Sequence, residues 1–157
     1  MISKPLVTRY EGNPILTKHD IPYAVETVHN AAATKYEEQY ILLFRSHLRN
    51  GRSILGIARS DDGYKFRADP KPFMVPSTDS DFSIHEEYGV EDPRICLIDD
   101  EYFITYSAYS SFGVRIGLAK TRDFKTVERV SIISHADMRN IVIFPDTFNG
   151  RYARLDS

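Results

Sequence analysis

The chain has no tryptophan and a single cysteine, Cys96. One cysteine excludes an intramolecular disulfide, argues against a cysteine-built metal site, and favours a reducing compartment. An excess of charge of one sign is also missing. Twenty Lys and Arg against 22 Asp and Glu leave a net charge of −2, with no electrostatic footprint for nucleic acid or an anionic membrane. No apolar window approaches the length of a membrane span. The first residues, Met1-Ile2-Ser3-Lys4-Pro5, lack the apolar run of a signal peptide, so the expected location is the cytoplasm. His19, His47, His85 and His135 show no metal-ligand spacing and read as surface or loop residues; no metal is expected.

Helical periodicity is scarce too, and what replaces it is short β-rich runs between turn residues. At 157 residues and 42% hydrophobic content the chain can build one sizeable core. Tyr40-Ile41-Leu42-Leu43-Phe44 reads as a strand, and Arg52 to Arg59 as its partner after the Asn50-Gly51 turn. Ser60-Asp61-Asp62-Gly63 is a further turn, with Tyr64-Lys65-Phe66 as an edge strand. From Pro70 to about Tyr88 runs a long polar connection.

The pattern then repeats. Tyr102 to Tyr106 matches the Tyr40 strand, Gly117-Leu118-Ala119-Lys120-Thr121 matches Gly56-Ile57-Ala58-Arg59-Ser60, and Asp123 to Val127 takes the place of Asp62 to Phe66. Asn149 to Leu155 begins a third copy. Repeats with about four short strands each predict an all-β protein built of β-propeller blades, here two and the start of a third. The expected organisation is one partial propeller domain over 1–157.

The segment with most chemical content is Gly89-Val90-Glu91-Asp92-Pro93-Arg94, just before the strand-like Ile95-Cys96-Leu97-Ile98. Pro93 fixes its own φ and is expected to hold Asp92 extended, aiming a carboxylate. A solvated turn with an Asp/Arg pair is the plain alternative. A protonated carboxyl can donate to a glycosidic oxygen while a nucleophile attacks the opposite face. Phosphate as that nucleophile needs no base, only cationic groups, for which the bidentate fork of Arg is suited. Arg45, Arg59, Arg94, Arg115 and the pair Arg139-Asn140 are placed for this, whereas Arg52, Arg67, Arg122 and Arg129 read as solvated. His29-Asn30-Ala31-Ala32-Ala33 reads either as a sugar contact through Asn30 or as a strand packed near the propeller axis.

With these motifs in this order, including Gly12-Asn13-Pro14, Leu43-Phe44-Arg45, Gly56 to Gly63, Glu91-Asp92-Pro93-Arg94 and Arg139 to Pro145, the chain resembles glycoside hydrolase family 130, the β-mannoside phosphorylases and related β-mannosidases. The resemblance implies a five-bladed β-propeller and an inverting phosphorolysis of β-1,4-mannosides, such as mannosyl-glucose, to α-mannose 1-phosphate. It implies Asp92 as general acid, its proton relayed through a mannose hydroxyl. Asn30, Arg45, Arg59, Ser60 and Glu91 would bind substrate, and Arg139 and Asn140 phosphate. No cofactor is implied beyond phosphate as co-substrate. The partners are a β-mannoside oligosaccharide and phosphate, with no nucleic acid or membrane, and self-association is one way to complete a ring. Asp146-Thr147 stands where the family commonly has Glu-Lys. Members are roughly twice as long, so the chain is expected to be the N-terminal part of such an enzyme. A family β-mannosidase, or an inactive propeller fragment, is the alternative.

Overall fold

A computed structural model describes residues 6–156; the N-terminal pentapeptide read above for a leader lies outside them. Two four-stranded antiparallel meanders follow one another. The first contains β1 (His29–Tyr36), β2 (Gln39–His47), β3 (Ser53–Ser60) and β4 (Arg67–Ala68). The second contains β5 (Gly89–Ile98), β6 (Glu101–Ser110), β7 (Gly113–Thr121) and β8 (Glu128–Ile132). A separate hairpin, β9 (Val142–Phe148) and β10 (Arg151–Leu155), starts a third unit. These are propeller blades, and the sheets do not close into a ring. Among the described residues, helix is limited to a 3₁₀ turn at Lys18–Asp20 and α1 (Ser80–Ser83).

Strand alternation decides how the blades pack. Ile41 and Leu43 of β2, with Leu55 and Ile57 of β3, face Ile104, Tyr106 and Ala108 of β6 and Ala119 of β7 in one buried cluster between the blades. The opposite face of the first blade, around Phe44 and Ala58, is covered by the chain ahead of β1, through Leu16, Ile21, Tyr23 and Val28. The two blades meet in the sheet at a single parallel bridge, Ser53 to Gly89. Gly89 has φ +145°, and a Cβ there would lie 2.5 Å from the Ser53 nitrogen. Only glycine allows that approach, which explains the first residue of the Gly89–Arg94 motif.

The repeat extends to individual hydrogen bonds. In the first blade the Asp62 carboxylate accepts from the N–H groups of Tyr64 and Lys65, and the Ser60 hydroxyl accepts from Gly63 N–H. In the second, Asp123 accepts from Lys125 and Thr126, and Thr121 accepts from Phe124. Gly56 and Gly117 likewise lie under the Phe44 and Tyr106 rings, their cross-strand partners. The edge strand expected at Tyr64 to Phe66 forms later, at Arg67–Ala68, because this Asp-capped turn consumes the intervening N–H groups.

These turns set an acid limit. The Lys65 and Tyr64 N–H groups, then the Ser60 hydroxyl, hold Asp62 down to about 2. Asp123 is lowered by the Thr126 and Lys125 N–H groups. A carboxylate depressed on folding stabilises above its unfolded value, and that contribution is lost as pH falls through the folded one. Both turns therefore weaken as pH falls below about 4, the Asp62 turn towards pH 2. Urea unfolding against pH should show a shallower acid decline for the Asp62→Asn, Asp123→Asn double variant than for wild type.

Candidate functional site

β1 and β5, the first strands of the two blades, carry the same irregularity. In β5 the register passes from Glu91 opposite Ser107 to Arg94 opposite Thr105, so Asp92 and Pro93 together oppose one residue. In β1 it passes from His29 opposite Arg45 to Ala32 opposite Leu43. Each is a β-bulge, and each puts its first residue at positive φ, +48° for Asn30 and +49° for Asp92. Asn and Asp are the non-glycine residues that best tolerate this conformation. The expectation that Pro93 holds Asp92 extended is therefore corrected: the bulge sets the backbone, and Pro93 is tolerated because a bulge has no ladder position to lose. Asn140, two residues ahead of β9, also has a positive φ, +56°.

The equivalent bulges bring equivalent side chains together. Asn30 Nδ2 donates to Asp92 Oδ1 at 2.8 Å, and Arg45 Nη1 donates to the same oxygen at 3.3 Å. Arg45 Nη2 donates to Glu91 Oε1 at 2.7 Å, which also accepts from the Ser53 hydroxyl at 2.7 Å. Arg139 Nη1 lies 3.6 Å from Glu91 Oε2, with its guanidinium over the Tyr109 ring at 5.9 Å. Arg94 Nη2 donates to Asn140 Oδ1 at 3.3 Å. Glu91 and Asp92 are buried, while Arg139 is half-exposed. Arg45 Nε is buried without a partner among the described residues. Both of these hydrogen bonds to Asp92 fall on Oδ1.

The structure thus gathers Asn30, Arg45, Glu91 and Asp92 tightly, with Arg139 and Asn140 beside them. Arg59 and Ser60, expected at the mannosyl unit, stand elsewhere. Arg59 lies six residues along β3 from Ser53, about 20 Å at the rise of a strand. It pairs with Asp69 at 3.1 Å and donates to the Phe124 carbonyl at 2.7 Å, joining the blades at their far end. The Ser60 hydroxyl is consumed in the Asp62 turn.

Two residues at the site escaped the sequence reading. His47 ends β2 next to Arg45, and Arg45 Nη2 donates to its Nε2 at 2.9 Å. His29 stacks on it, ring centroids 5.2 Å apart. Burial, then the charges of Arg45 and His47, lowers the His29 pKa against the opposing Asp92 and Glu91. The available signal was positional: His29 precedes Asn30 as Glu91 precedes Asp92. Arg129 is a further correction. It is not solvated but donates through Nε and Nη2 to Glu86, which is fully buried and also accepts from the Tyr106 hydroxyl at 2.6 Å. Among the described residues no cluster of three or more His, Cys, Asp or Glu could hold a metal, and no helix is long and apolar enough to cross a membrane.

Open blades whose first strands present buried carboxylates among guanidinium groups define a β-propeller-like protein. The chain belongs to glycoside hydrolase family 130: the family model described as beta-1,4-mannooligosaccharide phosphorylase matches residues 3–153. It is 39% identical over 103 residues to a beta-1,2-mannobiose phosphorylase of Listeria innocua, covering 66% of this chain and 28% of the relative. It is 28% identical over 153 residues to a beta-1,4-mannooligosaccharide phosphorylase of Ruminococcus albus, covering 95% and 45%. A solved structure of a Listeria innocua beta-1,2-mannobiose phosphorylase with beta-1,2-mannobiose superposes with TM-score 0.82 at 26% identity, covering 94% of this chain and 57% of that one. The chain spans less than half the length of these two curated relatives.

Proposed function

We propose that this chain carries the acid-bearing part of an inverting β-mannoside phosphorylase, acting on β-1,4-mannosides such as mannosyl-glucose. The observation that carries the reading is the convergence of Asn30 and Arg45 on one oxygen of Asp92, with Arg139 across Glu91. That arrangement fixes a carboxyl beside the cationic groups an incoming phosphate requires.

Asp92 supplies the proton, through a mannose hydroxyl, to the glycosidic oxygen. The bond from that oxygen to the anomeric carbon breaks. A phosphate oxygen bonds to the opposite face of the same carbon, giving α-mannose 1-phosphate and the free acceptor sugar. Arg139 and Asn140 hold the phosphate, and Arg45, bonded to Asp92, lies at the mannosyl unit. Glu91 organises the Arg45 and Arg139 guanidinium groups at the sugar site. Residues 1–157 act as one unit in this reading, with further blades completing the mouth.

The test is direct. The chain extended by the blades that complete the mouth is incubated with 4-O-β-mannosyl-glucose or β-1,2-mannobiose, with and without inorganic phosphate, and the products are resolved by anion-exchange chromatography. Phosphate-dependent mannose 1-phosphate from the first substrate is the expected result. Product from β-1,2-mannobiose alone would move the linkage, and free mannose formed equally without phosphate would overturn phosphorolysis in favour of hydrolysis.

A further inference from the structure

The Arg45 guanidinium reaches both Glu91 and Asp92, and it is held from behind by the His47 side chain. An arginine has donors and no acceptor. The 2.9 Å contact therefore requires His47 Nε2 to accept, which places the ring proton on Nδ1. The other end of the ring agrees. Thr27 Oγ1 lies 3.0 Å from Nδ1 and also accepts from the His47 backbone N–H at 3.0 Å, so its oxygen serves both donors. A chain of four groups results, Thr27 to His47 to Arg45 to Asp92, in which the neutral Nδ1–H imidazole is the only form that fits.

We propose that His47 is a positioning residue whose neutral Nδ1–H form holds Arg45 against Glu91 and Asp92, and whose protonation releases Arg45, coupling the geometry of the acid to pH. Its functional consequence rests on the proposed role of Asp92; the coupling itself does not. A protonated His47 has donors at both nitrogens, so Nε2 turns a donor and a positive charge towards a guanidinium that offers the same.

The groups around the ring support this. His29 on β1 stacks against it, and Arg45 lies on its own strand. Glu91 and Asp92 on β5 reach it only through Arg45. Ser53, its register partner on β3, is uncharged, and Glu26 ahead of β1 meets it by a backbone bond alone. Among the described residues, therefore, no carboxylate pairs with the imidazole directly to compensate a second proton. His29, in the same surroundings, is already shifted towards its neutral form, first by burial and then by Arg45 and His47.

The test uses the isotopically labelled chain and two conservative variants. His47→Gln keeps an acceptor oxygen that does not titrate, and His47→Leu keeps bulk without an acceptor. Imidazole nitrogen spectra should show His47 as the Nδ1–H tautomer at neutral pH. On acidification, its double protonation should coincide with collapse of the resolved Arg45 guanidinium signals. The Gln variant should keep those signals resolved across the titration, and the Leu variant should lose them at every pH. Affinity for inorganic phosphate should fall about tenfold through the same step in wild type and stay level in the Gln variant. An Nε2–H tautomer at neutral pH, or Arg45 signals indifferent to His47 protonation, would overturn the proposal even if the Leu variant fails to fold. Phosphate that binds at no pH would sink the proposed function instead, with the spectra still deciding the coupling.

Discussion

Asp92→Asn should cut mannose 1-phosphate formation by about 10²–10⁴-fold, the usual contribution of a general acid, while leaving the melting temperature nearly unchanged. The asparagine is isosteric, tolerates positive φ, and keeps a carbonyl oxygen where Asn30 and Arg45 donate. What it loses is the transferable proton. The comparison belongs in whichever assembly of the chain turns substrate over, with kcat separated from KM. A loss confined to KM would assign Asp92 to binding, and an unchanged kcat would remove it from the chemistry.

Glu86→Ala should produce the opposite pattern, with a stability loss of roughly 3–5 kcal/mol and the reacting groups intact. Glu86 is fully buried, and its two oxygens accept from Arg129, Tyr106 and the Ser77 N–H. Removing the carboxylate leaves the Arg129 guanidinium with the Val75 carbonyl, at 2.6 Å, and the uncharged Tyr106 hydroxyl, where little solvent reaches. It also unties the 69–88 connection from the second blade at the point where the chain turns into β5. Burial, followed by the Glu86 charge, already pushes the Tyr106 hydroxyl far above its usual range. For a chain of this length the loss corresponds to a fall of roughly 6–20 °C in Tm, readable by calorimetry. A fall of only a degree or two would mean that water reaches the pair and that the connection is held by other contacts.

Glu86 and Asp92 lie six residues apart, yet only one was legible in the sequence. Asp92 sits in a dense local motif, Glu-Asp-Pro-Arg, whose residue types already describe an aimed acid. Glu86 sits in a polar connection, and its partners Tyr106 and Arg129 are 20 and 43 residues away. Spacing carries no trace of such a pairing. The same reason separates Arg45, which the structure brings to Asp92, from Arg59, which it holds at the far end of the blades. Both lie on the blade face that looks towards the second blade. Which end of β3 meets β5 is set by the single bridge at Ser53 and Gly89, and that bridge puts Arg59 at the far end.

The sequence by itself determined the all-β fold, the two matching blades and the start of a third, and the site candidates Asn30, Arg45, Glu91, Asp92, Arg139 and Asn140. It could do so because strand alternation, turn chemistry and the Asp62 and Asp123 caps are local properties that recur with the repeat. Only the tertiary structure decided that Asn30 and Asp92 occupy the same bulge in successive blades and bond to each other, that Ser60 belongs to a turn, and that His47 backs Arg45. Those facts depend on register between strands and on the approach of one blade to the next. A one-residue bulge or one glycine contact fixes both, and neither leaves a period in the sequence.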